Sequence, residues 1–204
     1  MIIEAIHNGM FGSNCYIAGD NGHGILVDAG VAAEKVKRFV DRINITIDYI
    51  VLTHGHIDHI CHISQLRQLF KCPVLIHEKD LKALADPALN GSLLFGLPKE
   101  FEPADILLKH GDTIESMTMR FEIIHTPGHT PGSICIKTGD ILFTGDSLFK
   151  LSIGRTDLGF GNHDQLLKSI KTRLLTLNES TKVYPGHGAA TEIGYEKKFN
   201  PLIA

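Results

Sequence analysis

The sequence lacks tryptophan altogether, contains only four cysteines among 204 residues, and has no long uninterrupted apolar run. A membrane helix needs about 18 consecutive apolar residues, so no membrane partner is expected. Basic clusters are also missing, since 20 lysines and arginines are spread along a chain whose net charge is −3. A nucleic-acid partner is therefore not expected. Hydrophobic residues make up 43% and charged residues 21%, which is typical of a globular protein and excludes a disordered chain.

The cysteines and the first residues of the chain bear on its compartment. Cys15, Cys61, Cys72 and Cys135 lie far apart and form no C-x-x-C pair, which argues against a zinc knuckle or a redox dithiol. The opening residues, MIIEAIH, contain neither the basic region nor the apolar run of a secretory signal. We therefore expect a cytoplasmic protein with four reduced, mostly buried thiols.

Apolar patterns predict alternating groups of strands and helices. Strands are expected at 1–6, 14–18, 25–28, 49–53 and 74–77, with helices at 31–43, 60–70 and 78–85. The pattern then repeats, with strands at 113–114, 119–125, 133–137, 141–144 and 181–184 and helices at 163–177 and near Tyr195. Two successive halves of this kind predict an α/β (α+β) protein in which two mixed β-sheets pack face to face with helices outside, an αββα sandwich.

An irregular segment at 86–102 separates the two halves and is longer than most loops of a compact domain. It carries four apolar side chains, Leu93, Leu94, Phe95 and Leu97. Two interpretations stay open at this point, because an exposed apolar patch suits either a lid over a substrate or a contact between two copies of the chain. The protein is accordingly expected to be a monomer or a homodimer.

Twelve histidines are present, and four potential metal ligands fall within six residues: His54, His56, Asp58 and His59. This H-x-H-x-D-H motif directly follows the strand predicted at 49–53. Side chains of alternate residues in an extended segment point the same way, so His54 and His56 can hold one ion. If a helix begins there, Asp58 and His59 face a neighbouring direction and could hold a second ion. Histidine is the commonest metal ligand, so the motif predicts a metal site.

Three later strand ends each bring one further metal-capable side chain after a glycine. His129 stands in TPGHTPG, Asp146 in FTGDS and His187 in YPGHG. Each of these would be a weak signal alone, because a lone histidine or aspartate is common in turns. Together with the first motif, they predict the remaining ligands of the same site.

With its H-x-H-x-D-H motif followed by His, Asp and His, the sequence resembles the metallo-β-lactamase superfamily over nearly its whole length. It is most similar to the short glyoxalase II-like hydrolases, which resemble hydroxyacylglutathione hydrolase without its C-terminal helical glutathione-binding domain. The resemblance implies a single domain over 1–204 with the metallo-β-lactamase fold and a two-metal site at the edge of the sandwich. It also implies a ligand set: His54, His56 and His129 for the first metal, Asp58, His59 and His187 for the second, and Asp146 as the bridge.

Histidine and carboxylate ligands without thiolate suit zinc, manganese or iron. We expect two divalent metal ions per chain, with zinc as the preferred metal. Two such ions can share a water molecule and make hydroxide available at neutral pH, where it would attack an ester, thioester or amide carbonyl. Asp58 would be the catalytic side chain that orients this nucleophile or takes its proton.

The resemblance implies roles for two further residues. Asp28, at the end of an early strand, would orient a ligand near the metals, and the alternative is that it caps the following helix. Arg155, in the sequence GRTD, would bind a substrate carboxylate through two parallel hydrogen bonds, and the alternative is a surface or structural arginine. The chain departs from the family at Cys61 and His62, where Gly-Gly is usual and permits a close backbone approach.

These observations predict a binuclear metal-dependent hydrolase that acts on a small thioester such as S-lactoylglutathione. One alternative is a persulfide dioxygenase on the same fold, with a single iron held by His54, His129 and Asp146. The other is a metallohydrolase of a different ester or amide. The ligand set alone does not distinguish among these three activities.

Overall fold

The structure is a computed structural model that describes residues 1–203. Its strands are β1 (Ile2–Ile6), β2 (Cys15–Asp20), β3 (His23–Val27), β4 (Thr46–Val51), β5 (Val74–His77), β6 (Ile106–Leu108), β7 (Thr113–Ser116), β8 (Met119–His125), β9 (Ile134–Thr138), β10 (Ile141–Gly145), β11 (Leu148–Phe149), β12 (Ser152–Ile153), β13 (Lys182–Pro185) and β14 (Thr191–Glu192). Its α-helices are α1 (Ala33–Ile43), α2 (Ile57–Ile60), α3 (Ile63–Phe70), α4 (Leu81–Ala85), α5 (His163–Ser169) and α6 (Ile193–Phe199). Single 3-10 turns occupy Met10–Gly12, Glu78–Asp80 and Ser92–Phe95, and a wider π-helical turn extends α5 over Ile170–Leu174.

Twelve of the strands form two mixed sheets. The first sheet has the order β1-β2-β3-β4-β5-β6, and the second has the order β14-β13-β10-β9-β8-β7. The first sheet begins with antiparallel strands and ends with the parallel strands β3 to β6. The second is antiparallel except where β10 and β13 run parallel. The two short strands β11 and β12 pair separately.

Side chains that alternate along the strands divide the core into three layers. Between the two sheets, Val27 of the first packs in one cluster with Phe121 of the second. The outer face of the first sheet is covered by α1 to α4, as Val36 of α1 illustrates. Leu166 of α5 belongs to the corresponding cluster on the outer face of the second sheet. The order helix, sheet, sheet, helix confirms the predicted αββα sandwich.

The strand directions bring several loops to one edge of the molecule. In the first sheet β3, β4 and β5 are parallel, so their carboxyl ends lie together. In the second sheet β8 and β10 both run antiparallel to β9, and β13 runs parallel to β10, so these three strands also end at one edge. The two edges adjoin, because the backbone N–H of Ile134 donates to the carbonyl oxygen of Thr53 at 2.9 Å. Loops that leave these strand ends carry every predicted metal ligand.

The predicted elements differ from the structure at several points, among them β4, which was predicted at 49–53 and spans Thr46–Val51. The helix expected at 60–70 is two helices, α2 and α3, which are separated at Cys61 and His62. The short strands β6, β11, β12 and β14 were not predicted. The irregular segment 86–102 contains one 3-10 turn, Ser92–Phe95. All four cysteines are buried and free, and no helix within 1–203 is both long and apolar enough to span a bilayer.

Candidate metal centre

Three imidazoles form a first ligand group where the loops after β4 and β8 meet. Nε2 of His129 lies 2.8 Å from Nδ1 of His56 and 3.2 Å from Nε2 of His54. All three side chains are buried or nearly so. Nitrogens bound tetrahedrally to zinc at about 2.0–2.1 Å lie roughly 3.3 Å from one another, which is close to this spacing. The three rings therefore present their nitrogens as a set of metal ligands would.

A second ligand group combines two residues of α2 with the loop after β13. Nε2 of His187 lies 3.1 Å from Oδ2 of Asp58 and 3.2 Å from Nε2 of His59. The ligand atoms of these three residues lie within 4.8 Å of one another. Asp58 and His59 are adjacent in α2, which begins at Ile57 within the histidine motif and so places both residues beside His187.

Asp146 lies between the two groups. Its Oδ2 is 3.6 Å from Nε2 of His129 in the first group and 3.6 Å from Nε2 of His187 in the second. Its Oδ1 is 3.3 Å from Nε2 of His59, yet this oxygen is buried and has no hydrogen-bond partner among residues 1–203. A buried carboxylate oxygen without a partner is costly, and a cation would satisfy it. The donor set thus fits a metal centre.

Burial controls the protonation of the first group. Burial, reinforced by the neighbouring imidazoles, holds the pKa of His54 well below its ordinary value and lowers the pKa of His56 to about 3. Both rings are therefore neutral at pH 7 and keep a lone pair for a cation. Because a metal ligand must be deprotonated, this environment prepares the histidines for binding.

The second group has the opposite electrostatics. Burial alone would lower the pKa of His59, but the carboxylates of Asp146, Asp58 and Asp28 outweigh it and raise that pKa well above its ordinary value. Burial would likewise raise the pKa of Asp146, and the surrounding imidazoles reverse this and lower it. Three carboxylates around one imidazole create an excess of negative charge, which a divalent cation would neutralise.

Asp28 contacts His59 from the side away from the ligand groups. Its Oδ2 accepts a hydrogen bond from Nδ1 of His59 at 2.8 Å, and its Oδ1 accepts one from the backbone N–H of Thr53 at 2.7 Å. This contact fixes the ring so that Nε2 faces Asp58 and Asp146. The first turn of α1 begins at Ala33 and has no side-chain cap.

Arg155 lines the cavity, and its side chain and its backbone make separate contacts. The guanidinium binds the carboxylate of Asp157 through two hydrogen bonds of 2.7 and 2.8 Å, and this side chain is 58% exposed. The carbonyl oxygen of Arg155 accepts a hydrogen bond from Nδ1 of His129 at 2.7 Å. With its proton on Nδ1, His129 keeps the lone pair of Nε2 free for a cation. Reasoning from side-chain types missed this role of the Arg155 carbonyl.

A cavity of about 470 Å³ opens over the two ligand groups. Its floor includes five of the seven predicted ligands, all but His54 and His59. Its walls are largely apolar: Phe11, Ile57, Phe95, Phe149, Ile153 and Leu158. The rings of Phe11 and Phe95 are 4.5 Å apart at their centroids, so the turns Met10–Gly12 and Ser92–Phe95 touch at the cavity mouth. The irregular segment 86–102 therefore forms part of the cavity wall.

The departure at Cys61 and His62 is accommodated by another glycine. A Cβ on Gly30 would lie 1.9 Å from the carbonyl oxygen of Asp58, so the close backbone approach occurs at Gly30. The backbone N–H of His62 donates to the carbonyl oxygen of Ala29 at 3.0 Å. Sγ of Cys61 lies 3.6 Å from the carbonyl oxygen of Gly30. The loop after β3 therefore packs directly on α2.

One buried carboxylate at this edge, Asp80, was not singled out from the sequence. It lies three residues beyond the end of β5 and binds the loops that carry His54, His56 and His129. The signal that could have revealed it is the one that revealed Asp146, namely an acidic residue shortly after the carboxyl end of an apolar strand.

The sequence pattern of the metallo-β-lactamase superfamily matches residues 8–187. The chain belongs to the metallo-β-lactamase superfamily, a superfamily of metallo-hydrolases. It is 37% identical to the hydroxyacylglutathione hydrolase GloC of Haemophilus influenzae, over all of this chain and 98% of that protein. It is also 37% identical to the probable metallo-hydrolase YqgX of Bacillus subtilis, over 94% of this chain and 92% of that protein.

Solved structures agree with this assignment. The B3 metallo-β-lactamase BLEG-1 is 40% identical and superimposes with a TM-score of 0.94 over 99% of both chains. TTHA1623 in a di-iron-bound form is 31% identical, with a TM-score of 0.87 over 97% of this chain and 98% of that one. ETHE1 from Myxococcus xanthus is also 31% identical, with a TM-score of 0.82 over 98% and 84%.

Proposed function

We propose that the protein is a binuclear metal-dependent hydrolase of a small thioester such as S-lactoylglutathione. The observation that carries this proposal is the position of Asp146, which lies 3.6 Å from an imidazole of each ligand group. The first metal would be held by His54, His56 and His129, the second by Asp58, His59 and His187, and Asp146 would serve both. GloC, a hydroxyacylglutathione hydrolase of the same length class, supports the thioester as substrate.

Bound divalent metals lower the pKa of a coordinated water and polarise a carbonyl oxygen. Asp58 is suited to accept a proton beside them, because it lines the cavity and is only 15% exposed. Burial would raise the pKa of Asp58, but His59 and His187 outweigh this effect and lower it. Asp58 is consequently ionised at neutral pH. Asp28 and the carbonyl of Arg155 hold the ring orientations of His59 and His129.

The cavity suggests how a thioester would bind. Its aromatic wall can cover the apolar part of the acyl group or of the thiol carrier, and it excludes water from the reacting carbonyl. We further propose that Arg155 binds a substrate carboxylate, which would replace Asp157 on the guanidinium. Such an exchange retains the bidentate geometry that arginine prefers.

The proposal is tested by measuring hydrolysis of S-lactoylglutathione with protein loaded with zinc or manganese, and with chelated protein as the control. A metal-dependent kcat/KM of about 10⁴ M⁻¹s⁻¹ or more, the lower part of the usual enzyme range, is expected. Protein that binds two metals per chain and yet shows no turnover would reject this substrate. A β-lactam measured in parallel tests hydrolysis of an amide, which the likeness to BLEG-1 makes the next substrate to examine.

A persulfide dioxygenase is the second candidate. The observation in its favour is that His54, His129 and Asp146 lie together, with 3.2 Å and 3.6 Å between their nearest ligand atoms, in a chain similar to ETHE1. Two imidazoles and one carboxylate are the ligand set of many non-haem iron oxygenases. Iron-loaded protein that consumes oxygen and forms sulfite from glutathione persulfide, with no thioester turnover, would favour this function over the hydrolase.

A further inference from the structure

Asp80 is a buried carboxylate that no step of the proposed chemistry uses. It ends the 3-10 turn Glu78–Asp80 that follows β5, and its side chain is only 3% exposed. No salt bridge to a lysine or arginine compensates its charge among residues 1–203. Burying a carboxylate is costly unless hydrogen bonds replace its water. The identity of those hydrogen-bond partners therefore indicates what the residue does.

The partners of Asp80 come from two different loops. Oδ2 accepts from the backbone N–H of Gly55 at 3.0 Å and from Oγ1 of Thr130 at 2.6 Å, and Oδ1 accepts from the backbone N–H of Gly132 at 2.6 Å. Gly55 separates His54 from His56, and Thr130 directly follows His129. One carboxylate thus joins the two loops that supply all three imidazoles of the first ligand group.

These loops approach Asp80 so closely that two positions exclude a side chain. A Cβ on Gly132 would lie 2.6 Å from atoms of Asp80, and a Cβ on Gly55 would lie 2.5 Å from the Cβ of Ala83 in α4. The loop of Gly132 therefore packs directly on Asp80, and the loop of Gly55 packs on the helix that follows Asp80. A change in the hydrogen bonding of Asp80 must move at least one loop relative to the other.

Asp28 provides a counterpart on the other side of the centre. It binds His59, a member of the second ligand group, and the backbone of Thr53. Neither oxygen of Asp28 contacts the loop of His129, and neither oxygen of Asp80 contacts α2. Asp28 also accepts from Oγ1 of Thr53 at 2.9 and 3.0 Å, and that hydroxyl lies 3.1 Å from Nδ1 of His54. Asp28 therefore contacts the second ligand group directly and the first only through Thr53, whereas Asp80 contacts the loops of the first group directly.

We infer that Asp80 is a positioning residue that sets the spacing of His54, His56 and His129 and thereby the metal affinity of the first group. This inference deepens the proposed function and rests on its metal-ligand assignment. It concerns metal binding, so it does not depend on which substrate is hydrolysed. Contacts just outside the ligands of a metal change its affinity by about 10–100-fold when they are removed.

Asp80→Asn tests the inference at constant side-chain volume. One carboxylate oxygen becomes an NH₂ group, which would face an N–H or O–H donor and lose at least one of the three hydrogen bonds. Metal-free protein is titrated with Zn²⁺ against a competing chelator, and with Co²⁺ while the visible absorption is recorded. His56→Asn and His187→Asn serve as references that assign each binding step to one ligand group.

We expect Asp80→Asn to weaken metal binding at the first ligand group by about 10–100-fold and to shift the absorption of Co²⁺ bound there. Metal binding at the second group should be unchanged. Asp28→Asn is the comparison variant. It should weaken the second step most, because it contacts His59 directly and reaches His54 of the first group only through Thr53. Thr130→Val removes only the hydroxyl donor and should give a smaller change in the same direction as Asp80→Asn. If Asp80→Asn does not fold, the metal affinity of Thr130→Val tests the inference in its place.

The inference is overturned if folded Asp80→Asn binds both metals as the parent protein does, or if both steps weaken equally. Equal weakening would mean that Asp80 stabilises the fold as a whole. Thioester turnover is not part of this readout. A protein that binds two metals but hydrolyses no thioester would therefore refute the proposed substrate and leave the role of Asp80 standing.

Discussion

At the scale of single residues, Asp146 is the side chain on which both ligand groups depend. It lies within 3.6 Å of histidines from both the first and the second group. Its buried Oδ1 has no hydrogen-bond partner among residues 1–203, and a cation would satisfy it. Replacing this residue should therefore affect both metals, whereas replacing a histidine should affect mainly one.

We predict that Asp146→Ala loses most bound metal and at least about 100-fold in metal-dependent turnover, a larger effect than is typical for contacts outside the ligands. Metal per chain is measured by atomic emission after dialysis, and turnover is measured in the same samples. Asp140→Ala, an exposed aspartate in the turn before β10, is the control and should behave like the parent protein. Full metal occupancy in Asp146→Ala would contradict the assigned centre.

His77 and His125 form a second pair of histidines, away from the ligand groups. Their rings stack at 4.0 Å between centroids with an angle of 14°, and both are buried. Burial, together with the neighbouring His125, lowers the pKa of His77 to about 4. The unfolded chain, with an ordinary histidine pKa near 6.5, therefore binds more protons than the folded protein between pH 4 and pH 6.5.

Because the unfolded state takes up the extra proton, the free energy of unfolding should fall as the pH drops from 6.5 to 4. The part due to His77 is on the order of 2–3 kcal/mol. His77→Phe keeps a stacked ring and should flatten this slope, whereas His163→Gln, at an exposed position, should not. Urea unfolding of metal-free protein at several pH values measures the effect. An unchanged slope in His77→Phe would contradict the assignment.

Residue types and strand ends were sufficient to predict which side chains the structure brings together, because four candidate ligands fall in one motif after β4 and the other three each follow a strand end and a glycine. They were not sufficient to predict Asp80 or the carbonyl of Arg155. The carbonyl of Arg155 is a backbone atom, so the pattern of side chains does not mark it. Asp80 carries the signal of an acidic residue shortly after an apolar strand, but its role depends on hydrogen bonds to Gly55, Thr130 and Gly132 that the sequence does not show. Only the tertiary structure places these groups beside the centre.

At the scale of elements, the buried strands were predicted more accurately than the edges. β5 and β8 have the predicted bounds, because their apolar residues pack on the core. β6 was missed because it is an edge strand in which Ile106 and Leu107 are 41% and 45% exposed, so no alternation marks it. Its pairing with β5 depends on backbone hydrogen bonds, which any sequence can form.

The segment 86–102 is the element whose role the sequence left open. Its turn Ser92–Phe95 touches the turn Met10–Gly12 through Phe95 and Phe11, and both rings line the cavity above the ligands. Phe95 is 48% exposed, so it can be covered further by a substrate. These contacts favour a role in substrate binding over a role confined to dimer formation.

We predict that Phe95→Ser raises the KM for a thioester about 3–10-fold with little change in kcat or in bound metal. A half-buried ring contributes about 1 kcal/mol of apolar contact, and Phe95 is not one of the predicted metal ligands. Phe199→Ser, which removes a similarly exposed ring from α6, is the control. If light scattering shows that Phe95→Ser changes the oligomeric state while KM is unaltered, segment 86–102 is a contact between copies of the chain instead.

At the scale of the whole molecule, the centre joins the two halves of the sandwich. In the first ligand group His54 and His56 come from the first half and His129 from the second. In the second group Asp58 and His59 come from the first half and His187 from the second. Each proposed metal would therefore cross-link the two sheets at the edge where their loops meet. Metal binding and folding are coupled wherever ligands converge only in the folded state.

Removing the metals should for this reason lower the melting temperature. An ion present at 100 times its dissociation constant adds about 2.7 kcal/mol, and 1 kcal/mol shifts the midpoint of a 150–250-residue protein by roughly 2–4 °C, so two ions should contribute roughly 10–20 °C. Calorimetry of metal-loaded protein is compared with protein that has been chelated and dialysed, and zinc is then added back. The Asp146→Ala variant should show a much smaller difference, because it has already lost the ligand shared by both groups. Equal melting temperatures in two samples of measured, different metal content would mean that the ions do not connect the two halves.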